Sequence, residues 1–575
     1  TDVYFRIDSA GPRLSSDNCL FVATTLSDGA YFYAVTIETN GIEDMTIVPG
    51  SNVLSTPLAE TVMTPLPVFQ EQRSTEGIAY DIYAYFLSTR IDPYQQLLKQ
   101  AGFFGSDFAV LRNNTPGLHP LRVKFHGGGV DFLSGITTTQ QGEIILSCED
   151  NFPSGETSAW WGTNENFDIY SAKNNVTPPV SGINYSYTLR RLSAIIDWTI
   201  THLPVDTNRI YMDGVSFGAP GAYFYTITYP EKIAASKILV GVYDFSFQND
   251  YQSTCSLNPG KKNRKSGNSR FGTVSTNLMS DFGYPTYNML NGGWMIHQFN
   301  TKSYPVMYCI NGKRDDLMGW SEKPVYYDSI NANRIGGYYF WDNREHGGNG
   351  KTWEINNFDL YRYRKDLSFP AFSNCSLNED YGTGNGAVGP EFGTVNGSLD
   401  WKNEVYEDSS NWVSKIFVRN LIKGDGSYLV YPDSCTVTIT PRRLQHFNVS
   451  DSIPVNWAVI HNHQLIQSGI TMPVNGLITI SGMKIFRDTS TVYLNTGQTL
   501  DTFFVDIDGD GFGNASSTTI AFNTPGGYSA ISSDCNDTVA AIHPGATEFC
   551  NYTDDNCDGI LDSLLYEVFY ADTDN

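Results

Sequence analysis

The stretch YMDGVSFGAPGAYF holds Ser216 between Gly214 and Gly218. Glycines on both sides relieve the crowding around a serine forced into a sharp turn, so the hydroxyl can stand clear as a nucleophile. Downstream, DIDGDGFGN sets Asp506, Asp508 and Asp510 at alternate positions, with glycines where the backbone must bend. Oxygen ligands at that spacing suit a hard cation such as Ca²⁺, as in the first half of an EF-hand loop. Two chemistries therefore suggest themselves, attack by a serine and binding of a metal ion.

Each needs elements to position it. From about 116 to 370, short apolar runs alternate with helical patterns, the texture of βαβ units and of an α/β fold with a mostly parallel, buried sheet. LRVKFHGGG, EIILSCED, NRIYMDGVS, SKILVGVYD, YPVMYCING and GYYFWDN read as strands. Leu189, Leu192, Ile196, Ile200 and Leu203 recur at helical spacing. Ser216 thus ends a strand, and APGAYFYTITYP can begin a helix after it.

About ninety residues before the serine, FHGGGVDF carries His126, Gly127, Gly128 and Gly129. This resembles the HGGG oxyanion motif of lipases and esterases, and with the serine turn it resembles the α/β-hydrolase family. The resemblance implies an oxyanion hole built from backbone N–H groups of Gly127, Gly128 and Phe217. It implies a triad acid after the penultimate strand, where YCINGKRDDLMGW offers Asp315 three residues past Gly312, beside Asp316, with Asp244 in reserve. The base comes last in that family, and FWDNREHGGNGKTW supplies His346. Ser216 would attack a carbonyl, His346 would take its proton, and Asp315 would orient the imidazole. Trp160 and Trp161 fall where family members often place substrate-contacting loops, which suits stacking on a sugar or phenolic group, with core packing of at least one of them as the other reading. The basic island Lys261, Lys262, Arg264, Lys265 and Arg270 is read as a solvated loop, with a lid over an anionic substrate as the other reading.

The acidic tail continues with Asp534, Asn536, Asp537, Asp554, Asp555, Asn556 and Asp558. With the Asp506, Asp508 and Asp510 run it resembles a thrombospondin type 3-like, MopE-type metal-binding repeat, which implies structural Ca²⁺. FYADTDN resembles the start of a second copy, and the natural chain is expected to continue beyond it. YFYAVTIETNGIED resembles late strands of a fibronectin type III module. The expected organisation is a partial β-module over 1–60, a linker over 61–115, the hydrolase domain over 116–375, a β-sandwich over 376–500 and the calcium-binding repeat over 501–575.

The 575 residues are 14% aromatic and only 17% charged, with 52 glycines, a balance of strand- and loop-rich extracellular proteins. A formal net charge of −24 excludes nucleic acid as a natural partner. No apolar run is long enough to span a membrane. The first residues lack both an initiator Met and a signal-peptide core, as expected of a processed product. Nine cysteines, at 19, 148, 255, 309, 375, 435, 535, 550 and 557, leave one over, and Cys550 with Cys557 could close a short loop. Sequons at Asn175, Asn184, Asn396, Asn448 and Asn551 add to the case for secretion. His461 and His463 would share a strand face and could hold a transition metal, though no third ligand is evident.

The resulting expectation is a secreted or cell-surface serine esterase, acting on polysaccharide or other polymeric esters or on small ones, with a cell-surface or secretion-apparatus partner. The alternatives are an adhesin or sheath protein using the hydrolase fold as scaffold, and a secreted serine peptidase.

Overall fold

The computed structural model describes residues 6, 8–14, 27–61, 65–75, 77–88, 103–139, 141–152, 154–169, 177–247, 267–347, 352–354, 358–403, 405–498 and 500–561. The chain forms two compact units. The first comprises residues 1–333, 337–365 and 380–393, and the second 334–336, 366–379 and 394–575.

The first unit is built on strands β1 (Val68–Thr75), β2 (Ile78–Ser88), β3 (Phe103–Leu111), β4 (His119–Phe125), β5 (Ile144–Cys148), β6 (Val205–Val215), β7 (Ala235–Leu239), β8 (Val306–Gly312) and β9 (Tyr338–Asp342). They hydrogen-bond in the order β1-β2-β3-β5-β4-β6-β7-β8-β9. The pairs from β1 through β5 are antiparallel, and all those from β5 to β9 are parallel. Parallel strands are covered on both faces, and the near-continuous apolar runs of β5, β7 and β8 leave almost no residue exposed. Helices α1 (Tyr187–His202) and α2 (Gly218–Thr228) belong to this unit, α1 burying Leu189, Leu192, Ile195 and Ile196, and α2 buried along its whole length.

Residues 61–115, expected as a linker, instead supply β1, β2 and β3. Their aromatic and β-branched residues pack into the core, where Tyr80, Ile82, Ala109 and Leu111 meet Phe132, Ile136 and Ile145. The prolines of TPLPVF suggest a linker only up to the first strand. The N-terminal module also differs from its expectation. Its described residues make two separate two-stranded ribbons, Gly29–Tyr31 with Leu58–Glu60 and Ile37–Thr39 with Ile42–Asp44. Phe32, Val35, Ile37 and Ile42 stay exposed there, so no sandwich core forms among the described residues.

In the second unit, strands β10 (Phe369–Ser373), β13 (Ser434–Arg442) and β16 (Ile480–Phe486) form one sheet. Strands β11 (Leu399–Trp401), β12 (Asn411–Val418), β17 (Ser490–Asn495), β14 (Val455–His461) and β15 (Gln464–Thr471) order a second in that sequence. The sheets pack face to face, β16 against β12 and β14. Trp412, Ile416, Val437, Ile439, Met483, Ile485 and Val492 fill the space between them. β18 (Asp501–Val505), β19 (Asn514–Ala521) and β20 (Tyr528–Ser529) make a small sheet that leads into the acidic loops.

His461 and His463 do not share a face. Asn462 and His463 both take positive φ, at 47° and 61°, and form the turn between β14 and β15. The His461 ring stacks on Phe486 instead.

Candidate active site

In a parallel sheet every strand delivers its C-terminal end to the same edge, and ligands bind in the crevice beyond it. β4, β6, β8 and β9 reach that edge in register, with Gly214 beside Phe125 and Gly312 beside Asp342. His126 follows β4, Ser216 follows β6, Asp315 follows β8 and His346 follows β9.

The turn after β6 is as tight as its glycines suggest. Ser216 has φ of 58°, a left-handed conformation that a residue with a side chain holds only under constraint. A Cβ on Gly214 would lie 2.2 Å from the Gly218 carbonyl oxygen, and one on Gly218 would lie 2.1 Å from that of Phe125. Both positions are closed to any larger residue.

Ser216 Oγ lies 2.6 Å from His346 Nε2. On the far side of the ring, His346 Nδ1 donates to both Asp315 oxygens, at 3.0 and 2.9 Å. Asp315 is fixed in turn by the backbone N–H groups of Leu317 and Met318, each donating to Oδ1 at 2.9 Å. The Asp315 hydrogen bond and charge raise the His346 pKa above the ordinary imidazole value, against the opposing effect of burial. Asp316 is half-buried and adds only to the charge felt by His346. Asp244, the reserve acid, is engaged elsewhere. It accepts from Ser246 and from Asn291, and burial pushes its carboxyl up to about 7.

Gly127 runs alongside the serine, its absent Cβ pointing to within 3.6 Å of Ser216 Cβ, and Gly128 faces Phe217. The His126 ring anchors this loop from behind. Its Nδ1 reaches the Gly127 carbonyl at 2.9 Å, while Nε2 faces Glu149 at 2.9 Å and the Asp150 backbone N–H at 3.1 Å. Burial works to lower the His126 pKa, but the Glu149 contact outweighs it and holds the ring above its ordinary value. Glu149 and Asp150 were legible only as the polar end of EIILSCED. Lys313, also missed, is buried two residues before Asp315 and donates to the carbonyls of Val388 and Pro390 at 2.5 and 3.1 Å.

Trp160 and Trp161 are packed into the core. Both are buried to 1% exposure or less. Asp150 accepts from the Trp160 backbone N–H, and its ring packs edge-on against Phe125 and His126 beneath the glycine loop. Trp161 meets Phe271 edge-on. Of the basic island, Lys261, Lys262, Arg264 and Lys265 lie outside the described residues. Arg270 is no solvated side chain but a buried partner of Glu156 at 2.8 Å.

In the tail, Asp506, Asp508 and Asp537 bring carboxylate oxygens together, as do Asp508, Asp510 and Asp534, each set within 4.8 Å. Oδ2 of Asp508, Asp510 and Asp534 is buried without a hydrogen-bond partner. Buried carboxylates left this way call for a cation, and the residues fit one with oxygen ligands. Burial, then repulsion from Asp510, Asp508 and Asp537, raises the Asp534 pKa. Cys535 and Cys557 lie within ligand distance of Asp534 but are joined as a disulfide, so neither is a thiolate. This pairing replaces the expected Cys550–Cys557 loop, and Cys550 is free and exposed.

The second half of the predicted ligand set behaves differently. Asp555 caps its own loop, accepting from Phe549 N and Asn551 Nδ2. Asp554 accepts from Asp558 N and Gly559 N. Asn536 binds Thr538, and Asn556 accepts from Asp558 N. Neither Asp554 nor Asp555 joins the two carboxylate clusters.

The sequons divide as well. Asn184 and Asn396 are fully buried and hydrogen-bonded, so neither can carry a glycan, whereas Asn448 and Asn551 are exposed. Asn175 lies outside the described residues.

Residues 534–563 match the Cu-binding_MopE family model, a metal-binding motif. Solved structures similar to this chain include an S-formylglutathione hydrolase from Agrobacterium tumefaciens, at 14% identity over 49% of this chain and 92% of that one, with a TM-score of 0.33. The substrate-bound fluorophosphonate-binding serine hydrolase FphF of Staphylococcus aureus is 12% identical over 49% of this chain and 92% of its own, with a TM-score of 0.29. A bacterial heroin esterase is 14% identical over 48% and 78%, with a TM-score of 0.31. No curated protein matches the chain in sequence. No described helix is long and apolar enough to cross a membrane.

Proposed function

We propose that this protein is an exported serine hydrolase of the α/β-hydrolase type that cleaves carboxylic esters. The observation that carries the reading is the line from Ser216 Oγ to His346 to Asp315 at the C-terminal edge of the parallel sheet. In this reading Ser216 bonds to the ester carbonyl carbon as His346 Nε2 takes its proton, and the Asp315 carboxylate stabilises the imidazolium. The negative charge moves to the carbonyl oxygen, which accepts N–H bonds from Phe217 and the Gly127–Gly128 loop at the N-terminus of α2. Loss of one such donor costs about 3 kcal/mol of transition-state stabilisation. Collapse expels the alcohol with the proton from His346, and water, activated by the same imidazole, frees the acyl group from Ser216.

Polymeric esters are the proposed substrate class, because accessory β-modules suit bound or insoluble substrates; the support is analogy from architecture. The carboxylate clusters of the tail are proposed to hold structural Ca²⁺, since their donors are all hard oxygens and the nearby sulfurs are tied up.

Hydrolysis of a p-nitrophenyl ester series by the parent and by Ser216→Ala tests the catalytic reading. Turnover lost in the variant at unchanged thermal stability supports it. Equal, background-level rates would overturn the esterase reading and leave the scaffold and peptidase alternatives.

A further inference from the structure

Two buried cysteines of the second unit take no part in anything described so far. β10 and β13 pair antiparallel from Phe369 opposite Arg442 to Ser373 opposite Thr438. Pairing resumes with the Ser376 N–H donating to the Thr436 carbonyl at 2.9 Å and the Thr436 N–H donating to Ser376 Oγ at 3.0 Å. Three residues on one strand are thus matched to two on the other, and Asn374 between them takes φ of 50°. This is a β-bulge, and it resets the alternation of faces.

After the bulge, Cys375 stands opposite Val437, and Cys435, two residues from Val437, projects from the same face. Burial agrees with this alternation, since Cys375, Cys435 and Val437 are buried whereas Thr436 is exposed. The two thiols are close enough to couple, and both are free in this structure. Diagonal cross-strand neighbours on one face stand about 7–8 Å apart, so a crosslink there draws the two strands slightly together at the bulge.

We propose that Cys375 and Cys435 form a disulfide in the mature protein, in addition to Cys535–Cys557. The oxidant is a disulfide-bearing thiol carrier, which acts before the sandwich closes over the pair. Cys375, losing its proton to solvent, supplies the attacking thiolate. Cys375 sulfur bonds to one carrier sulfur and expels the other as a thiol. Cys435 then loses its proton and bonds to Cys375 sulfur, releasing the second carrier thiol. Two protein thiols become one disulfide, and one carrier disulfide becomes two thiols.

The crosslink closes a loop of roughly 60 residues that includes 380–393, the segment whose carbonyls hold Lys313.

The test uses the full chain produced with export, blocked with N-ethylmaleimide in denaturant and digested without reductant. A linked peptide pair containing Cys375 and Cys435 is the expected result, and maleimide on both cysteines overturns the proposal. In a Cys535→Ser/Cys557→Ser background, reductant should lower the midpoint of thermal unfolding of the second unit by about 10 °C, the scale expected for a loop of this length. Adding Cys375→Ser/Cys435→Ser should abolish that response. A midpoint indifferent to reductant in the background protein also overturns the proposal, and this reading stands or falls independently of any esterase activity.

Discussion

Replacing Gly214 by alanine isolates the part that the serine turn plays. The new methyl would meet the Gly218 carbonyl oxygen at 2.2 Å and Ala222 Cβ at 2.9 Å, where ordinary contact begins near 3.4 Å. Neither neighbour is a flexible side-chain end, so the backbone must give by about 1 Å. That displacement falls on the Gly218–Ala219 peptide and on the serine that stands 2.6 Å from His346. A misplacement of this size costs on the order of 100-fold in rate, equivalent to about 2.7 kcal/mol. Overpacking a filled site costs a further ~1–3 kcal/mol of stability. Ester turnover and the thermal midpoint, measured together, should both fall. Gly127→Ala is the matched control, because its methyl would contact Ser216 Cβ at 3.6 Å and Oγ at 4.0 Å without a clash. It should leave the midpoint nearly unchanged and reduce turnover by crowding the nucleophile. A Gly214→Ala protein with parental kcat and midpoint would refute the argument.

Turnover should rise with pH through a midpoint above 6.5, the ordinary imidazole value, because His346 must be neutral to accept the Ser216 proton and its pKa is raised. In Asp315→Asn the residual activity should show this limb displaced to lower pH; an unmoved limb would mean that Asp315 does not set it. Chelation with EDTA should lower the unfolding midpoint of the acidic tail, Ca²⁺ should restore it, and Asp508→Asn should remove the response. Identical melting traces with and without chelator would dismiss the cation. Arg122 donates to the buried Asp213 at 2.9 Å, so Arg122→Leu should cost about 3–5 kcal/mol in chemical denaturation by stranding that carboxylate.

The residues that meet at the sheet edge were legible because each belongs to a short local pattern. Ser216 sits in its glycine turn, and Asp315 and His346 follow strands whose apolar runs are unmistakable. The donors that hold Asp315, the backbone N–H groups of Leu317 and Met318, leave no trace in residue type. Trp160 and Trp161 stayed open in the sequence because an indole serves equally in a core or a binding cleft, and the packing against Phe125, His126 and Phe271 is visible only in the fold. β1 to β3 hid behind the prolines that introduce them. The disulfide at Cys535 depends on how the acidic loops fold back, which spacing alone does not fix. His461 and His463 follow a strand-like alternation that two left-handed turn residues interrupt.

The carbonyls that steady Lys313 arrive 75 and 77 residues after it in the chain. Before they do, the polypeptide has already laid down β10, whose partner β13 begins only at Ser434. A ribosome releasing this protein therefore completes the neighbourhood of Asp315 while β10 still waits for its partner. A product cut short between residues 347 and 387 would carry every proposed reacting group without the brace beside its acid.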